Sequence, residues 1–152
     1  MKVILANDHR GTQLKMLLKE FLDQMHIESF DAGAFSADSV DYPDLGASAA
    51  KKVSEGEYDR AVLICGSGIG MSIVANKFPR VRAALCHDAP AARMTREHND
   101  SNVLCLGADV VSEGLAQDIL KTWLETEFEG GRHLRRVEKI RDIESQLARG
   151  DG

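Results

Sequence analysis

The stretch AVLICGSGIGM, residues 61–71, is the most informative part of the sequence for the fold. Four consecutive apolar residues, Ala61 to Ile64, predict a short buried strand that stops at Cys65. A helix is predicted directly afterwards, over Ile69 to Asn76. A buried strand that leads through a glycine-rich turn into a helix is typical of an α/β fold with a parallel sheet.

The same alternation of apolar strands and amphipathic helices extends in both directions from this stretch. Further strands are predicted at Val3–Ala6, Ile27–Phe30, Arg82–Cys86 and Val103–Leu106. Further helices are predicted around Leu14–Leu22, from Pro43 through Val53, and over Ala89–Glu97, Ser112–Thr126 and His133–Leu147. The pattern predicts a single domain over residues 1–152, with a parallel sheet that is covered by helices on both faces.

The last predicted helix follows the fifth strand and a Gly130-Gly131 break, so no crossover requires it. Its apolar residues form one narrow stripe: Val137, Ile140, Ile143 and Leu147. Such a stripe packs either on its own domain or across a partner subunit, and the pattern leaves both open. Residues 148–152 are predicted to be a frayed tail.

Composition excludes several classes of protein. The formal net charge of −5 argues against general binding to nucleic acid, which requires clustered Lys and Arg. The first residues form neither a signal peptide nor a membrane span. Three widely spaced cysteines, Cys65, Cys86 and Cys105, fit neither a disulfide framework nor a zinc site. We therefore expect a cytoplasmic protein without bound metal.

Chemically capable residues follow several of the predicted strands. In an open parallel sheet, ligands bind at the carboxyl ends of the strands. These ends carry Asn7-Asp8-His9, Cys65-Gly66-Ser67-Gly68 and His87-Asp88. His98 and Asn99 instead lie just before the fifth strand, which places them at the opposite edge unless the chain folds back.

The alternating glycines Gly66, Gly68 and Gly70 allow backbone N–H groups to converge on one point. Such a nest binds an oxyanion or a phosphate. Cys65, at its mouth, is placed to act as a thiolate general base. Most cysteines are simply buried in the core, and we expect that of Cys86 and Cys105.

A nucleotide site is the alternative interpretation of these glycines. The phosphate-binding motif GxxxxGK followed by Ser or Thr is not present in the sequence. The dinucleotide motif GxGxxG is matched only imperfectly, although Asp88 lies at about the right distance. A nucleotide-binding regulatory domain therefore remains an alternative.

The segment GGRHLRR carries Arg132 and Arg136, which lie one helical turn apart. Two guanidinium groups on one helix face can clamp a phosphate. They can equally form a solvated surface balanced by Glu138 and Asp142. The spacing alone does not decide between these interpretations.

Five segments together resemble the ribose-5-phosphate isomerase type B family, which includes galactose-6-phosphate and allose-6-phosphate isomerases. They are NDHRG, VDYPD, CGSGIGMSIVANKFPRVRAALC, REHNDSNVL and EGGRHLRRVEKI, and the resemblance covers about Met1 to Glu144. It implies a Rossmann-like three-layer αβα sandwich with a five-stranded parallel sheet and an extra C-terminal helix. It also implies a homodimer with shared active sites, or a tetramer of such dimers, that acts on a sugar phosphate without a cofactor.

The resemblance also implies roles for individual residues. Cys65 is the base that moves a proton between C2 and C1, Ser67 a hydroxyl beside it, and His98 the group that opens the sugar ring. The substrate-binding residues implied are Asp8, His9, Gly66, Gly68, Gly70, Asn99, Arg132 and Arg136, with the two arginines supplied by the neighbouring subunit. Within this fold, the helix before the fifth strand is expected to bring His98 round to the Cys65 site.

The expected reaction is the interconversion of ribose 5-phosphate and ribulose 5-phosphate through a cis-enediolate. The main alternative is the same isomerisation of a six-carbon phosphate, of allose or galactose. Asn7 departs from some relatives, which have another small residue there, and this leaves the choice of substrate open. A cysteine redox or acyl-transfer protein is disfavoured because neither a CxxC motif nor a Cys-His-Asn arrangement is found.

Overall fold

A computed structural model describes residues 1–150 of the chain. Over these residues the five strands are β1 Lys2–Asn7, β2 Glu28–Asp31, β3 Arg60–Cys65, β4 Ala83–Leu85 and β5 Val103–Gly107. The six α-helices are α1 Thr12–Gln24, α2 Tyr42–Ser54, α3 Ile69–Ala75, α4 Ala89–Asn99, α5 Glu113–Glu125 and α6 Gly131–Arg149. One turn of 3-10 helix, His9–Gly11, precedes α1. The α/β fold predicted from the sequence is confirmed.

The strands form one parallel sheet in the order β2-β1-β3-β5-β4. In this sheet β3 is central, with β1 on one side and β5 on the other. Asn7 of β1 is aligned with Ile64, and Gly107 of β5 is aligned with Cys65. The segments that follow β1, β3 and β5 therefore meet at one edge of the sheet.

Alternate residues of the strands enter two separate apolar layers, as the period of a strand requires. On one face, Leu5, Ile64 and Leu106 pack with apolar residues of α1, α4 and α5, and Trp123 is fully buried among them. On the other face, Leu63 and Cys65 pack against α2 and α3. Both faces of the sheet are therefore covered, and its carboxyl edge remains open for a site.

The C-terminal helix α6 begins at Gly131 and ends at Arg149, where Gly150 adopts a left-handed conformation with φ +74°. The prediction of a frayed tail is therefore wrong for Ala148 and Arg149, while residues 151–152 lie outside the described part of the chain. His133 and Val137 are buried. The rest of the apolar stripe is exposed: Ile140, Ile143 and Leu147. Among residues 1–150, no helix is long and apolar enough to cross a membrane.

Helix α4 continues two residues past the predicted end, to Asn99. The guanidinium of Arg96 explains the extension, because its Nη1 donates to Asp100 Oδ1 at 2.9 Å and to the carbonyl of Ser101 at 2.5 Å. Asp100 then ends the helix in a left-handed conformation, with φ +48°. His98 and Asn99 are thus held in the last helical turn.

Candidate active site

The residues after β1 are fixed by hydrogen bonds beside the end of β3. Asp8 is 6% exposed, and its backbone N–H donates to the carbonyl of Ile64 at 3.0 Å. Its Oδ1 accepts from the backbone N–H of Arg10 at 2.9 Å, which caps the 3-10 turn. His9 Nδ1 accepts from the backbone N–H of Val40 at 3.3 Å. Asp8 is thereby placed beside the end of β3, and it lines the same cleft as Cys65.

Cys65 ends β3 with its side chain inside the glycine turn. The backbone N–H of Gly68 donates to Cys65 Sγ at 3.1 Å, and the Cys65 side chain is 5% exposed. Ser67 Oγ accepts from the backbone N–H of Ile69 at 3.2 Å, which fixes the hydroxyl beside the thiol. Of the predicted nest, the structure shows the Gly68 N–H directed at the cysteine sulfur, and anion binding there stays a prediction.

The other two cysteines are in different surroundings. Cys86 is 1% exposed and Cys105 is fully buried. Burial raises the pKa of the Cys86 thiol to about 11, and it also raises the pKa of Cys105. Both are therefore thiols in the core near neutral pH, as the sequence predicts. Of the three cysteines, only Cys65 lines the cleft described next.

A cleft of about 580 Å³ opens at this edge of the sheet. That volume lies within the range of small-ligand sites. Its lining residues are Asp8, Arg10, Tyr42, Cys65, Gly66, Ser67, Ile69, Gly70, Ile73, Asp109 and Val110. His9 follows Asp8 in the chain and is the first residue of the 3-10 turn that Asp8 caps.

Three polar lining residues were not singled out from the sequence: Arg10, Tyr42 and Asp109. Tyr42 covers Gly70 so closely that a Cβ there would lie 2.5 Å from the tyrosine ring. Asp109 could have been found, because it follows β5 at the same edge. Tyr42 comes from the start of α2, and no local pattern connects it with Gly70.

A second cluster of predicted site residues lies at the start of α6. The rings of His98 and His133 are stacked, with centroids 4.3 Å apart and planes 9° from parallel. Glu129 Oε2 is 3.4 Å from His133 Nε2, and Arg132 Nε donates to the same nitrogen at 3.4 Å. Burial lowers the pKa of His133, and the neighbouring His98 and Arg132 lower it further. Arg136 lies one helical turn beyond Arg132.

The potential ligand atoms of His98, Glu129 and His133 lie within 4.8 Å of one another. A metal ion must lie close to the plane of each imidazole that binds it, at about 2.1 Å from the nitrogen. The two nearly parallel ring planes do not meet at such a point. In this arrangement the cluster is therefore suited to proton transfer and anion binding more than to holding a metal.

The two clusters lie at opposite ends of the sheet. Helix α4 runs from the carboxyl edge of the sheet back to the opposite edge, and its last residue, Asn99, lies four residues before the start of β5. Cys65, in contrast, is aligned with Gly107 at the end of β5. Five residues of strand separate these levels by about 13 Å. Within one chain, then, the structure assembles the Cys65 cleft but does not bring His98, Asn99, Arg132 or Arg136 to it. The expectation that α4 carries His98 to Cys65 in the same chain is wrong.

A doubly covered parallel sheet with a glycine-rich turn and a cysteine at its carboxyl edge defines the chain as a Rossmann-like α/β protein with a small cleft at that edge. The profile of the family described as Ribose/Galactose Isomerase matches residues 3–140. The chain belongs to this family. The resemblance stated from the sequence motifs is thus confirmed, and so is the prediction of an enzyme of the aldose–ketose isomerase class.

Named relatives cover nearly the whole chain. Ribose-5-phosphate isomerase B of Escherichia coli is 42% identical over 95% of this chain and 97% of its own length. D-erythrulose-4-phosphate isomerase of Pectobacterium atrosepticum is 37% identical, over 96% of this chain and 97% of its own. The structure of Clostridium thermocellum ribose-5-phosphate isomerase B superposes with a TM-score of 0.95 at 50% identity, over 97% of this chain and 99% of that one.

We predict that Gly68→Ala destabilises the protein by about 2–4 kcal/mol and disrupts the cleft. Gly68 has φ +78°, and a Cβ there would lie 2.6 Å from Leu85 Cδ1 and 2.8 Å from the carbonyl carbon of Leu106. Gly114→Ala is the matched control, because a Cβ at that helical position meets nothing within 4 Å. Urea unfolding of both variants at equal protein concentration measures the difference. Equal stability of the two would contradict the proposed packing constraint.

Proposed function

We propose that this protein interconverts ribose 5-phosphate and ribulose 5-phosphate through a cis-enediolate, with Cys65 as the carbon-acid base. The observation that carries the proposal is the Cys65 thiol at the cleft, with the Gly68 N–H 3.1 Å from its sulfur. Membership of the family and the names of the Escherichia coli and Clostridium thermocellum relatives support a five-carbon sugar phosphate as the substrate.

In this mechanism Cys65 removes the proton from C2 of the open-chain aldose. Negative charge then develops on the oxygens of C1 and C2, and the backbone N–H groups around Gly66 to Gly70 are the donors placed to stabilise it. The Ser67 hydroxyl, held by the Ile69 N–H, lies on the same turn and can bond a substrate oxygen. Asp8 and His9 bind the sugar from the neighbouring strand. Return of the proton to C1, together with transfer of the O2 hydroxyl proton to O1, gives the ketose.

The second cluster supplies the remaining roles. His98 opens the furanose ring, since histidine exchanges protons near neutral pH. Asn99 donates to the reacting oxygens, and Arg132 and Arg136 clamp the phosphate with charge-assisted hydrogen bonds. These residues lie at the far end of the sheet from Cys65. One complete site therefore requires two chains, and we propose a homodimer whose active sites are shared.

The exposed apolar surface fits such a dimer. Ile69 and Ile73 project from α3 at the rim of the Cys65 cleft, and both are more than half exposed. A groove of about 480 Å³ between β4 and α6 is lined by Asn99, Ile140 and Ile143, among others. When α3 of a second copy packs into this groove, the Cys65 cleft of the second copy comes next to Asn99 of the first. A twofold axis repeats the contact and forms two sites.

The choice of sugar phosphate is the open part of the proposal. Six-carbon phosphates are the alternatives drawn from the sequence, and the Pectobacterium relative, named for a four-carbon phosphate, adds a third chain length. We expect the highest kcat/KM for ribose 5-phosphate when the purified protein is assayed with chelator on four-, five- and six-carbon aldose phosphates. A higher value for another substrate would reassign the sugar and leave the reaction class in place.

We predict that Cys65→Ala lowers kcat/KM by several orders of magnitude without unfolding the protein, because it removes the base and leaves a small residue at the end of β3. The control is Cys105→Ala, which removes a fully buried thiol of the core from the next strand. It should cost some stability and keep turnover. If folded Cys65→Ala retains more than about a tenth of the wild-type value, a loss below about 1.4 kcal/mol, Cys65 is not the base.

We predict that His98→Asn impairs turnover of a ring-closed substrate much more than turnover of an open-chain one. The physical reason is that only the closed furanose needs an acid–base group to open it. Steady-state kinetics on ribose 5-phosphate and on erythrose 4-phosphate, which is too short to close a furanose ring through its phosphorylated end, make the comparison. Equal losses on both substrates would assign His98 to the isomerisation or to binding.

We predict that two inactive variants, Cys65→Ala and His98→Asn, restore activity when their subunits exchange. In a shared-site dimer each mixed pair holds one intact site and one doubly damaged site. Random exchange makes about half of the dimers mixed, so about a quarter of wild-type activity should return. The pair Cys65→Ala with Arg132→Ala/Arg136→Ala should behave in the same way.

The control mixes His98→Asn with Arg132→Ala/Arg136→Ala, whose substituted residues belong to the same cluster. In those mixed dimers each site carries one of the two defects, so no intact site forms and activity should stay low. Mass spectrometry under native conditions verifies exchange in each mixture. Complete exchange without recovery in the first mixture would show that His98 and Cys65 act within one chain.

A further inference from the structure

An ion pair crosses the mouth of the Cys65 cleft. Arg10 Nη2 lies 2.5 Å from Asp109 Oδ2 and joins the turn after β1 to the turn after β5. The pair passes directly over Gly66, where a Cβ would lie 2.9 Å from Asp109 Oδ2 and 3.1 Å from Arg10 Nε. Both side chains line the cleft. Neither has a role in the mechanism above.

The two turns do not depend on this ion pair for their conformation. The backbone N–H of Arg10 is already bonded to Asp8 Oδ1, and that of Asp109 to the carbonyl of Gly66 at 3.0 Å. The Arg10 and Asp109 side chains are 58% and 50% exposed. Ion pairs this exposed contribute little to stability, because water and salt screen them. A purely structural role leaves the position of the pair in the cleft unexplained.

The charge of the cleft gives Arg10 a function. Among the described residues that line it, Arg10 is the one basic side chain, and it stands beside the carboxylates of Asp8 and Asp109. A phosphate dianion entering this cleft meets two negative charges and needs a cation close by. A guanidinium has five N–H donors, and one carboxylate does not use them all. In residues 1–150, Asp109 is the partner recorded for the Arg10 guanidinium, so donors remain for a ligand.

We propose that Arg10 binds the phosphate group of the substrate from within the cleft, as a third arginine beside Arg132 and Arg136 of the other chain. Asp109 holds the guanidinium over Gly66 and, as a competing anion, limits how tightly phosphate binds. The inference rests on the proposed function, because it takes the cleft to bind a sugar phosphate. It assigns substrate binding to Arg10, which lies within the NDHRG segment but was given no role from the sequence.

The two partners of the pair should give effects of opposite sign. Isothermal titration of inorganic phosphate into the purified full-length chain measures the Kd for the phosphate group alone. Arg10→Ala should raise this Kd about tenfold or more, because a charge-assisted hydrogen bond is lost. Arg10→Lys should fall between it and the wild type. Asp109→Asn should lower the Kd about two- to fivefold, because one repelling charge is removed. The KM for ribose 5-phosphate should follow the same order.

The exposed pair Lys2–Glu28 is the matched control. Its atoms are 3.6 Å apart, its side chains are 57% and 69% exposed, and it joins the starts of β1 and β2 at the opposite end of the sheet. Lys2→Ala and Glu28→Gln should leave both the phosphate Kd and the KM within about twofold of wild type. Thermal unfolding of every variant shows that the fold is retained.

Each other outcome has a definite meaning. Loss of affinity of the same size in Arg10→Ala and Asp109→Asn would show that only the intact ion pair matters, and it would overturn the inference. No change in Arg10→Ala, or no phosphate binding by the wild type, would also overturn it. A lower affinity in Arg10→Ala, with no change in Asp109→Asn, would support the contact between Arg10 and phosphate. It would overturn the role of Asp109 as a competing anion. A wild type that binds phosphate but isomerises no sugar phosphate would refute the proposed function and leave the Arg10 measurement interpretable.

Discussion

The close approach of two backbone segments at the end of the central strand is the constraint on which the site depends. The turn after β3 folds over the end of β5, so that a Cβ on Gly107 would lie 2.6 Å from the carbonyl oxygen of Ser67. Gly68, on the other side of the same contact, has no space for a Cβ either. Because neither position carries a side chain, the Gly68 N–H can point back at Cys65 Sγ. Neighbouring β1 then places Asp8 beside this turn, in the same cleft.

Local patterns in the sequence were sufficient to predict the elements and this half of the site. Runs of apolar residues mark the strands, and the alternating glycines mark the nest, because both are properties of a few adjacent residues. The order of the strands is not such a property. The position of β5 between β3 and β4 depends on how whole helices pack. Asp109, which follows β5, lies beside Gly66 only because of this strand order. Tyr42 was missed for the same reason. Arg10 lies within the NDHRG segment, but no local pattern shows that its side chain meets Asp109 over Gly66.

The error on His98 has a specific physical origin. The motif REHND predicts which residues matter, but its place in the fold depends on where α4 ends. Arg96 bonds Asp100 Oδ1 and the Ser101 carbonyl, so α4 continues two residues past its predicted end and finishes just before β5, at the opposite edge from Cys65. His98 then lies against His133 at the start of α6. Helical periodicity alone does not report contacts between α4 and α6, which are 30 or more residues apart in sequence.

The second cluster is held together as one body, which bears on how a shared site would work. The backbone N–H of Glu129 donates to the carbonyl of Glu97 at 3.1 Å, and this bond ties the end of α4 to the segment that leads into α6. Stacking of His98 on His133 adds a side-chain contact between the same two helices. In the proposed dimer the ring-opening group and the two arginines therefore approach the partner's cleft together, and one docking event positions all of them. Arg10 differs in this respect, because it belongs to the same chain as Cys65. A single protomer would then hold the phosphate weakly through Arg10, and turnover would still require the other chain.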